Sequence, residues 1–180
     1  GGMWRKNRVP NYDGSQGVDL NRNFGYMWGF DNNGSSPNPN SESYRGTGPF
    51  SELETQAVRD FVTAHNFQIM VNFHAYSNLV IWAWGYRRFY VPDEDVFSMI
   101  GDSVHAMNGY APSPGWGLYL TNGDSDDWAY GEQTTKNKIL SFTVEVGSYY
   151  DYFWPPISRM PALIAENLEP CLYFSKIAAS

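Results

Sequence analysis

The chain has 180 residues, which is enough for one domain with a full hydrophobic core. Its formal net charge of −7 argues against a nucleic-acid-binding protein, which needs a basic face, and its aromatic content of 17% is far too high for a disordered chain. The single cysteine, Cys171, excludes an intrachain disulfide and a zinc site built from thiolates.

The first informative segment is residues 17–24, Gly-Val-Asp-Leu-Asn-Arg-Asn-Phe, where a short apolar strand gives way to a loop. Arg22 can hold a carboxylate through two parallel charge-assisted hydrogen bonds, and Asn21 can add a third donor. Such a pair suits an enzyme that holds the free end of a peptide. Neighbouring Asn and Arg residues more often belong to a solvated loop, so other segments must decide between the two interpretations.

A helix and a strand follow this segment. Ser51 and Glu54 match a capping box, and the apolar residues after them have helical spacing, so a helix is expected to run to about Asn66. The nearly continuous apolar stretch 67–73 predicts a strand that is buried on both faces. That strand is expected to end at His74.

The rest of the chain continues this alternation of helices and strands. The predicted elements are a strand over 79–85, a helix over 93–108, a loop over 111–125, a short helix beginning near 125–127, a central strand over 139–146 and a helical stretch over 158–177. Pro170 is expected to kink or divide the last helix. This order predicts an α/β fold, a three-layer sandwich around a mixed, largely parallel twisted sheet.

In such sheets ligands lie outside the carboxyl ends of the strands. Asn21, Arg22, His74 and Glu145 all lie at predicted strand ends. The sequence therefore predicts that these four side chains share one crevice.

His74 and Glu145 each allow two interpretations. A strand-end histidine is often a core residue satisfied by a backbone carbonyl, but neutral imidazole is also a good ligand for catalytic zinc. Glu145 ends an otherwise apolar strand, where an unpaired carboxylate costs on the order of several kcal/mol through desolvation. It is therefore either a partner in a structural ion pair or a general base that takes a proton from metal-bound water.

Four segments together resemble the zinc carboxypeptidases, the carboxypeptidase A, B and T family, in their order and approximate spacing. They are residues 3–6 (Met-Trp-Arg-Lys), 17–24, 72–77 (Asn-Phe-His-Ala-Tyr-Ser) and 142–145 (Phe-Thr-Val-Glu). The resemblance covers nearly the whole chain. It implies that the protein hydrolyses peptides at the C-terminal end with the help of Zn²⁺.

The resemblance also implies the roles of the residues that carry the chemistry. His74 matches the third zinc ligand of the family, and Glu145 stands where the family places its general base. Arg5 would polarise the scissile carbonyl and stabilise the oxyanion. Asn21 and Arg22 would hold the terminal carboxylate of the substrate.

Further residues acquire roles from the same resemblance. Asp19 matches a carboxylate that orients a zinc histidine without binding the metal itself. Tyr119 has the offset of the mobile active-site tyrosine. Asp126 stands where members that prefer basic residues carry an aspartate, and Asp124 where members of broader specificity carry one. A preference for C-terminal Lys or Arg with some tolerance of large apolar residues is therefore expected, unless Asp126 or Ser125 merely caps the following helix.

One part of the family pattern does not occur in this sequence. The other two zinc ligands of the family come from a His-x-x-Glu motif, and none of the three histidines here is followed three positions later by Glu or Asp. We therefore expect residues 1–180 to be the C-terminal portion of a single carboxypeptidase domain. Alone, this chain is expected to be inactive, with an upstream fragment of the same domain as the partner that supplies two ligands.

Two other functions are compatible with these residues. One is a carboxypeptidase that acts on cell-wall peptides with similar metal chemistry, and the other is a non-catalytic module that binds peptide carboxylates. The richness in Asn, Gly, Tyr and Trp favours a secreted protein. We expect the protein to bind neither nucleic acid nor membranes.

Overall fold

The computed structural model describes residues 3–179, which form four strands and four α-helices. The strands are β1 (Ile69–His74), β2 (Leu79–Trp82), β3 (Ala111–Pro114) and β4 (Leu140–Glu145). The helices are α1 (Leu53–Thr63), α2 (Glu94–Asn108), α3 (Ser125–Gly131) and α4 (Met160–Ile177). Short 3-10 turns cover Leu20–Arg22, Gly115–Gly117 and Ile157–Arg159.

The strands form one mixed sheet in the order β1-β4-β2-β3. β1 is parallel to β4 and β2 is parallel to β3, whereas β2 and β4 are antiparallel. β4 therefore occupies the central position that its apolar sequence predicts, and the register places His74 directly beside Glu145.

Helices cover both faces of the sheet. Because side chains alternate along a strand, one strand can pack against both helix layers. On β1, Ile69 and Val71 pack into a cluster with residues of α2 and α4, whereas Met70 packs into a second cluster with Val62 of α1 and Trp128 of α3. The predicted three-layer α/β sandwich is confirmed. Among residues 3–179, no helix combines the length and the apolar character that a transmembrane span requires.

The predicted capping box of α1 is wrong. The Ser51 hydroxyl donates to the carboxylate of Glu52, and the carboxylate of Glu54 accepts from Asn7 instead of closing back on the helix. The buried Asn23 takes over the capping role, since its Oδ1 accepts from the Glu52 amide at 3.2 Å. A residue from another segment thus satisfies the helix end, which a local motif cannot reveal.

The prediction that β1 is buried on both faces is also wrong. Within the described part of the chain β1 pairs only with β4 and forms an edge of the sheet. Its Phe73 is 51% exposed.

The segment predicted as a loop over 111–125 contains β3, which pairs with β2. Pro112 and Pro114 hide this strand from pattern analysis, but proline is tolerated on an edge strand, where its missing N–H breaks no ladder. In α4, Pro170 does not divide the helix, which is continuous through that residue.

Candidate active site

The carboxyl ends of β1 and β4 place a set of polar side chains on one face of the sheet. Asn72 and His74 of β1 lie on the face opposite Val71, and Thr143 and Glu145 of β4 lie on the corresponding face. This face looks towards α3, and a cavity of about 290 Å³ opens there. Eight of the nine side chains singled out from the sequence line it: Arg5, Asn21, Arg22, His74, Tyr119, Asp124, Asp126 and Glu145.

Arg22 is a buried cation that has no anionic partner among residues 3–179. Arg22 is 4% exposed, and Nη1 of its guanidinium donates to the carbonyl of Asn21 at 2.6 Å. The Nε atom is buried and has no hydrogen-bond partner, and no carboxylate of residues 3–179 lies within 4.0 Å of the guanidinium. A buried charge is normally paired, so this arrangement fits an anionic ligand.

Three contacts define the surroundings of Asn21 and Arg22. The carboxylate of Asp19 accepts from the amide of Asn21 at 3.2 Å and caps the turn that carries both residues. The Oδ1 atom of Asn21 accepts from the Ser125 amide at 2.9 Å, which leaves its Nδ2 donor for a ligand. The ring of Tyr119 lies 6.0 Å from the guanidinium of Arg22. The site therefore offers amide and guanidinium donors side by side, as the sequence predicts.

Asp19 is the one singled-out residue that does not line the cavity. Its buried carboxylate forms an ion pair with Arg5, with Oδ2 2.8 Å from Nη2. This contact holds the half-exposed Arg5 guanidinium at the cavity. In the described residues Asp19 thus orients Arg5, and its role towards a zinc histidine stays a prediction.

His74 and Glu145 lie next to each other, with Nδ1 of the imidazole 3.9 Å from Oε1 of the carboxylate. Burial and the positive charges of Arg5 and Arg22 lower the pKa of His74, so its imidazole is neutral near pH 7. Burial and the negative charge of Asp126 raise the pKa of Glu145 to about 7, although Arg5 opposes this shift. Glu145 can therefore both accept and return a proton near neutral pH.

The donor set fits part of a zinc site. Neutral imidazole is the form of histidine that binds Zn²⁺, and catalytic zinc takes three protein ligands. Across residues 3–179 no three His, Cys, Asp or Glu side chains are placed to hold one metal ion together. His74 thus fits one position of such a site, and these residues alone do not complete it.

Asp126 lies partly buried at the cavity among hydroxyl and amide donors. Its carboxylate accepts from Asn72 at 2.9 Å, from Ser141 at 2.6 Å and from Thr143 at 2.7 Å. Burial and the nearby charge of Asp124 raise the pKa of Asp126 to about 6. These three donors favour the charged form but only partly offset the cost of burial.

Asp124, and not Asp126 or Ser125, caps α3. Its Oδ1 accepts from the Asp127 amide at 2.8 Å, and its Oδ2 accepts from the Thr121 hydroxyl. The alternative that Asp126 or Ser125 is the helix cap is therefore wrong. Asp124 and Asp126 both line the cavity, so the cap does not remove either carboxylate from it.

Sequence reasoning missed two contributors to the site. Asn72, which orients Asp126, is a polar residue inside an apolar strand, and that interruption was a usable signal. Phe153 lines the cavity beside Tyr76, and its ring lies 4.8 Å from that tyrosine ring. The run of aromatic residues at 149–154 was visible, but only the folded chain shows that it reaches the cavity.

Comparisons with known proteins agree with this geometry. A sequence model described as zinc carboxypeptidase matches residues 1–170. A metallocarboxypeptidase A-like protein of Trichophyton verrucosum is 33% identical over 172 residues, which cover 89% of this chain and 40% of that protein. Carboxypeptidase B of Astacus astacus is 33% identical over 162 residues, which cover 83% of this chain and 52% of that protein.

Solved structures show the same fold. Thrombin-activatable fibrinolysis inhibitor superposes with a TM-score of 0.86 at 30% identity, over 98% of this chain and 46% of that chain. Carboxypeptidase A of Helicoverpa armigera superposes with a TM-score of 0.84, but at 23% identity its likeness concerns the fold alone. The chain spans about two fifths of the length of the first curated relatives that it matches.

Proposed function

Since this chain belongs to the zinc carboxypeptidase family, we propose that it forms the substrate-binding half of an enzyme that releases single residues from peptide C-termini. The observation that carries this proposal is the buried guanidinium of Arg22, which has no anionic partner within residues 3–179. A peptide carboxylate supplies the missing charge, and Asn21 adds a donor. An enzyme with this clamp acts at the last peptide bond only.

The proposed mechanism divides the chemistry among four side chains. Arg22 and Asn21 place the terminal carboxylate, so that the last peptide bond lies near Glu145. Glu145 accepts a proton from the attacking water and returns it to the leaving amine. Arg5, held by Asp19, stabilises the negative charge that develops on the carbonyl oxygen. A zinc ion bound partly by His74 would supply Lewis acidity at the same carbonyl.

We further propose that two more zinc ligands come from polypeptide outside these 180 residues. The apolar surface of the chain supports this proposal. β1 is an edge strand within residues 3–179, and on α4 Ile164, Leu168 and Leu172 form an exposed stripe at four-residue spacing, with exposures of 66%, 60% and 63%. Large contiguous apolar surfaces of this kind are usually covered by another part of the protein or by a partner.

This proposal predicts weak zinc binding by residues 1–180 alone, because His74 supplies one of the three expected protein ligands. Calorimetric titration of the isolated chain with Zn²⁺ is the measurement, and His105→Ala, a histidine outside the cavity, is the control. The full-length protein should bind tightly and lose affinity in His74→Ala. Sub-micromolar binding by the isolated chain, or unchanged binding in full-length His74→Ala, would contradict the ligand assignment.

We propose that the cavity favours a C-terminal Lys or Arg. The carboxylates of Asp126 and Asp124 both line the cavity, where their like charges repel each other. A cationic side chain of the substrate relieves this repulsion by pairing with them. Asp126 is the main determinant, because it is more exposed than the buried Asp124, which also caps α3. A charge-assisted bond is worth about 1.5–3 kcal/mol, which corresponds to roughly tenfold to a hundredfold preference.

The specificity prediction compares matched peptides that end in Arg or Phe. We expect the ratio of kcat/KM values, Arg over Phe, to fall by roughly tenfold or more in Asp126→Asn and by less in Asp124→Asn. In the parent protein the same ratio should fall as the pH drops below about 6, because protonation neutralises Asp126. Protonation of Glu145 lowers kcat/KM for both peptides alike, so its effect cancels in the ratio. A preference for Phe, or a ratio unaffected by Asp126→Asn, would refute the assignment.

A further inference from the structure

The loop that follows Glu145 is fastened to the rest of the fold at its beginning. The carbonyl of Gly147 accepts from the amides of Ser77 at 2.8 Å and Asn78 at 3.0 Å. The amide of Gly147 donates to the hydroxyl of the buried Tyr110 at 3.3 Å. The start of the loop therefore has a fixed position next to β1 and β4.

An ion pair fastens the remainder of the same loop. The buried Asp151 accepts from the amide and the hydroxyl of Ser148, both at 2.9 Å. It also accepts two bonds from Arg159, from Nε at 2.6 Å and from Nη2 at 3.0 Å. Arg159 lies just before α4 and approaches Glu166 of that helix at 3.5 Å. Asp151 thus ties the loop to itself and to α4.

The fastened loop places aromatic rings at the exposed side of the cavity. The ring of Tyr76 lies 4.9 Å from Tyr152 and 4.8 Å from Phe153, and Tyr152 and Phe153 lie 5.2 Å apart. We call these three residues the aromatic wall. Tyr76 and Phe153 line the cavity, and Tyr152 and Phe153 are about half exposed.

Intrinsic backbone preference does not favour this arrangement. Tyr152 has a φ of 53°, which lies in the left-handed region that a bulky residue rarely adopts. Residues keep such conformations only where surrounding contacts hold them. The amide of Tyr152 donates to the carbonyl of Ser148 at 3.2 Å, and the preceding residue, Asp151, is held by Ser148 and Arg159.

We propose that the Asp151–Arg159 ion pair positions the aromatic wall, and that the wall thereby sets how tightly the enzyme holds the residues that precede the scissile bond. This inference rests on the proposed function, in which the terminal residue lies between Arg22 and Asp126. The preceding residues must then leave the cavity along its exposed lining, where the wall lies. Aromatic pairs prefer stacked or edge-to-face contacts, so an aromatic side chain in the peptide gains most from rings held in a fixed orientation.

The test uses the full-length protein and two peptides that both end in Arg, one preceded by Phe-Phe and the other by Ala-Ala. KM and kcat are measured for the parent protein and for Asp151→Asn, Arg159→Gln and Arg159→Lys. Lys138→Gln is the matched control, because it removes another ion pair, between Lys138 and Asp93 at 2.6 Å, from the opposite end of β4.

In the parent protein we expect KM for the Phe-Phe peptide to be roughly threefold to tenfold lower than for the Ala-Ala peptide. Asp151→Asn and Arg159→Gln should bring this KM ratio close to one, with a much smaller effect on kcat. Arg159→Lys should retain part of the ratio, and Lys138→Gln should retain all of it. A merely structural role would change both peptides alike.

The proposal is overturned if Asp151→Asn keeps the parent KM ratio, or if Lys138→Gln lowers the ratio as much. If the parent protein cleaves neither peptide, the proposed function fails. In that case calorimetry measures the dissociation constants of the same two peptides, which remain uncleaved. The ratio of these constants should change across the variants as described for the KM ratio, and this result decides the inference.

Discussion

Glu145→Gln should lower kcat of the full-length enzyme by about 10²- to 10⁴-fold, the range that general-base catalysis usually contributes. Glutamine keeps the shape of Glu145 and can still form hydrogen bonds, but it cannot take a proton from water. The pKa of Glu145, raised to about 7 by burial and by Asp126, suits this exchange near neutral pH. KM should change little, because the carboxylate clamp is untouched.

Steady-state kinetics with a peptide that ends in Arg measures this effect. Glu132→Gln is the matched control, since Glu132 accepts from Thr134 and Thr135 and does not line the cavity. The control should retain the parent kcat. A kcat within a few-fold of the parent value in Glu145→Gln would show that another group acts as the base.

Arg22→Met should weaken the productive binding of peptides with a free terminal carboxylate by about 2–5 kcal/mol, the usual consequence of removing one partner of a buried charge pair. In kcat/KM this corresponds to a loss of roughly 30-fold to several thousand-fold. Methionine retains the apolar stem of the side chain, so the packing around this 4% exposed position is largely kept.

The comparison that isolates the clamp uses Arg8→Met as a control. Arg8 is an exposed arginine that stacks on the ring of Trp4, 4.0 Å from its centroid, outside the cavity. The control should keep the parent kcat/KM for a free-acid peptide. Similar losses in both variants would mean that the effect comes from net charge and not from a clamp.

The main elements were predictable because their signals are local. The apolar run before Glu145 predicted a central strand, and β4 is central. The helical spacing after Asp93, ended by Gly109, predicted α2 almost to the residue. The meeting of His74 and Glu145 at one cavity followed from the rule that strand ends share an edge of the sheet. The prediction that Asn21 and Arg22 also lie at a strand end was wrong, because in the described residues they belong to a 3-10 turn, Leu20–Arg22, although both line the same cavity.

The errors share a physical origin in contacts between distant segments. Asn23 satisfies the start of α1 across a large separation in sequence, so the local capping box was misleading. The strand β3 forms because β2 offers it an edge, in spite of Pro112 and Pro114. Phe153 reaches the cavity from a loop in which Asp151 pairs with Arg159, and no periodicity reveals that contact.

The proposed function requires this chain to hold the free carboxylate of a peptide, so that only the last residue is released. The most direct measurement incubates the zinc-loaded full-length protein with one peptide in two forms, free acid and C-terminal amide, and follows both by mass spectrometry. We predict that the free acid loses its terminal residue while the amide stays intact over the same period. Cleavage of the amide at a similar rate, or cleavage of internal bonds in either form, would contradict the claim.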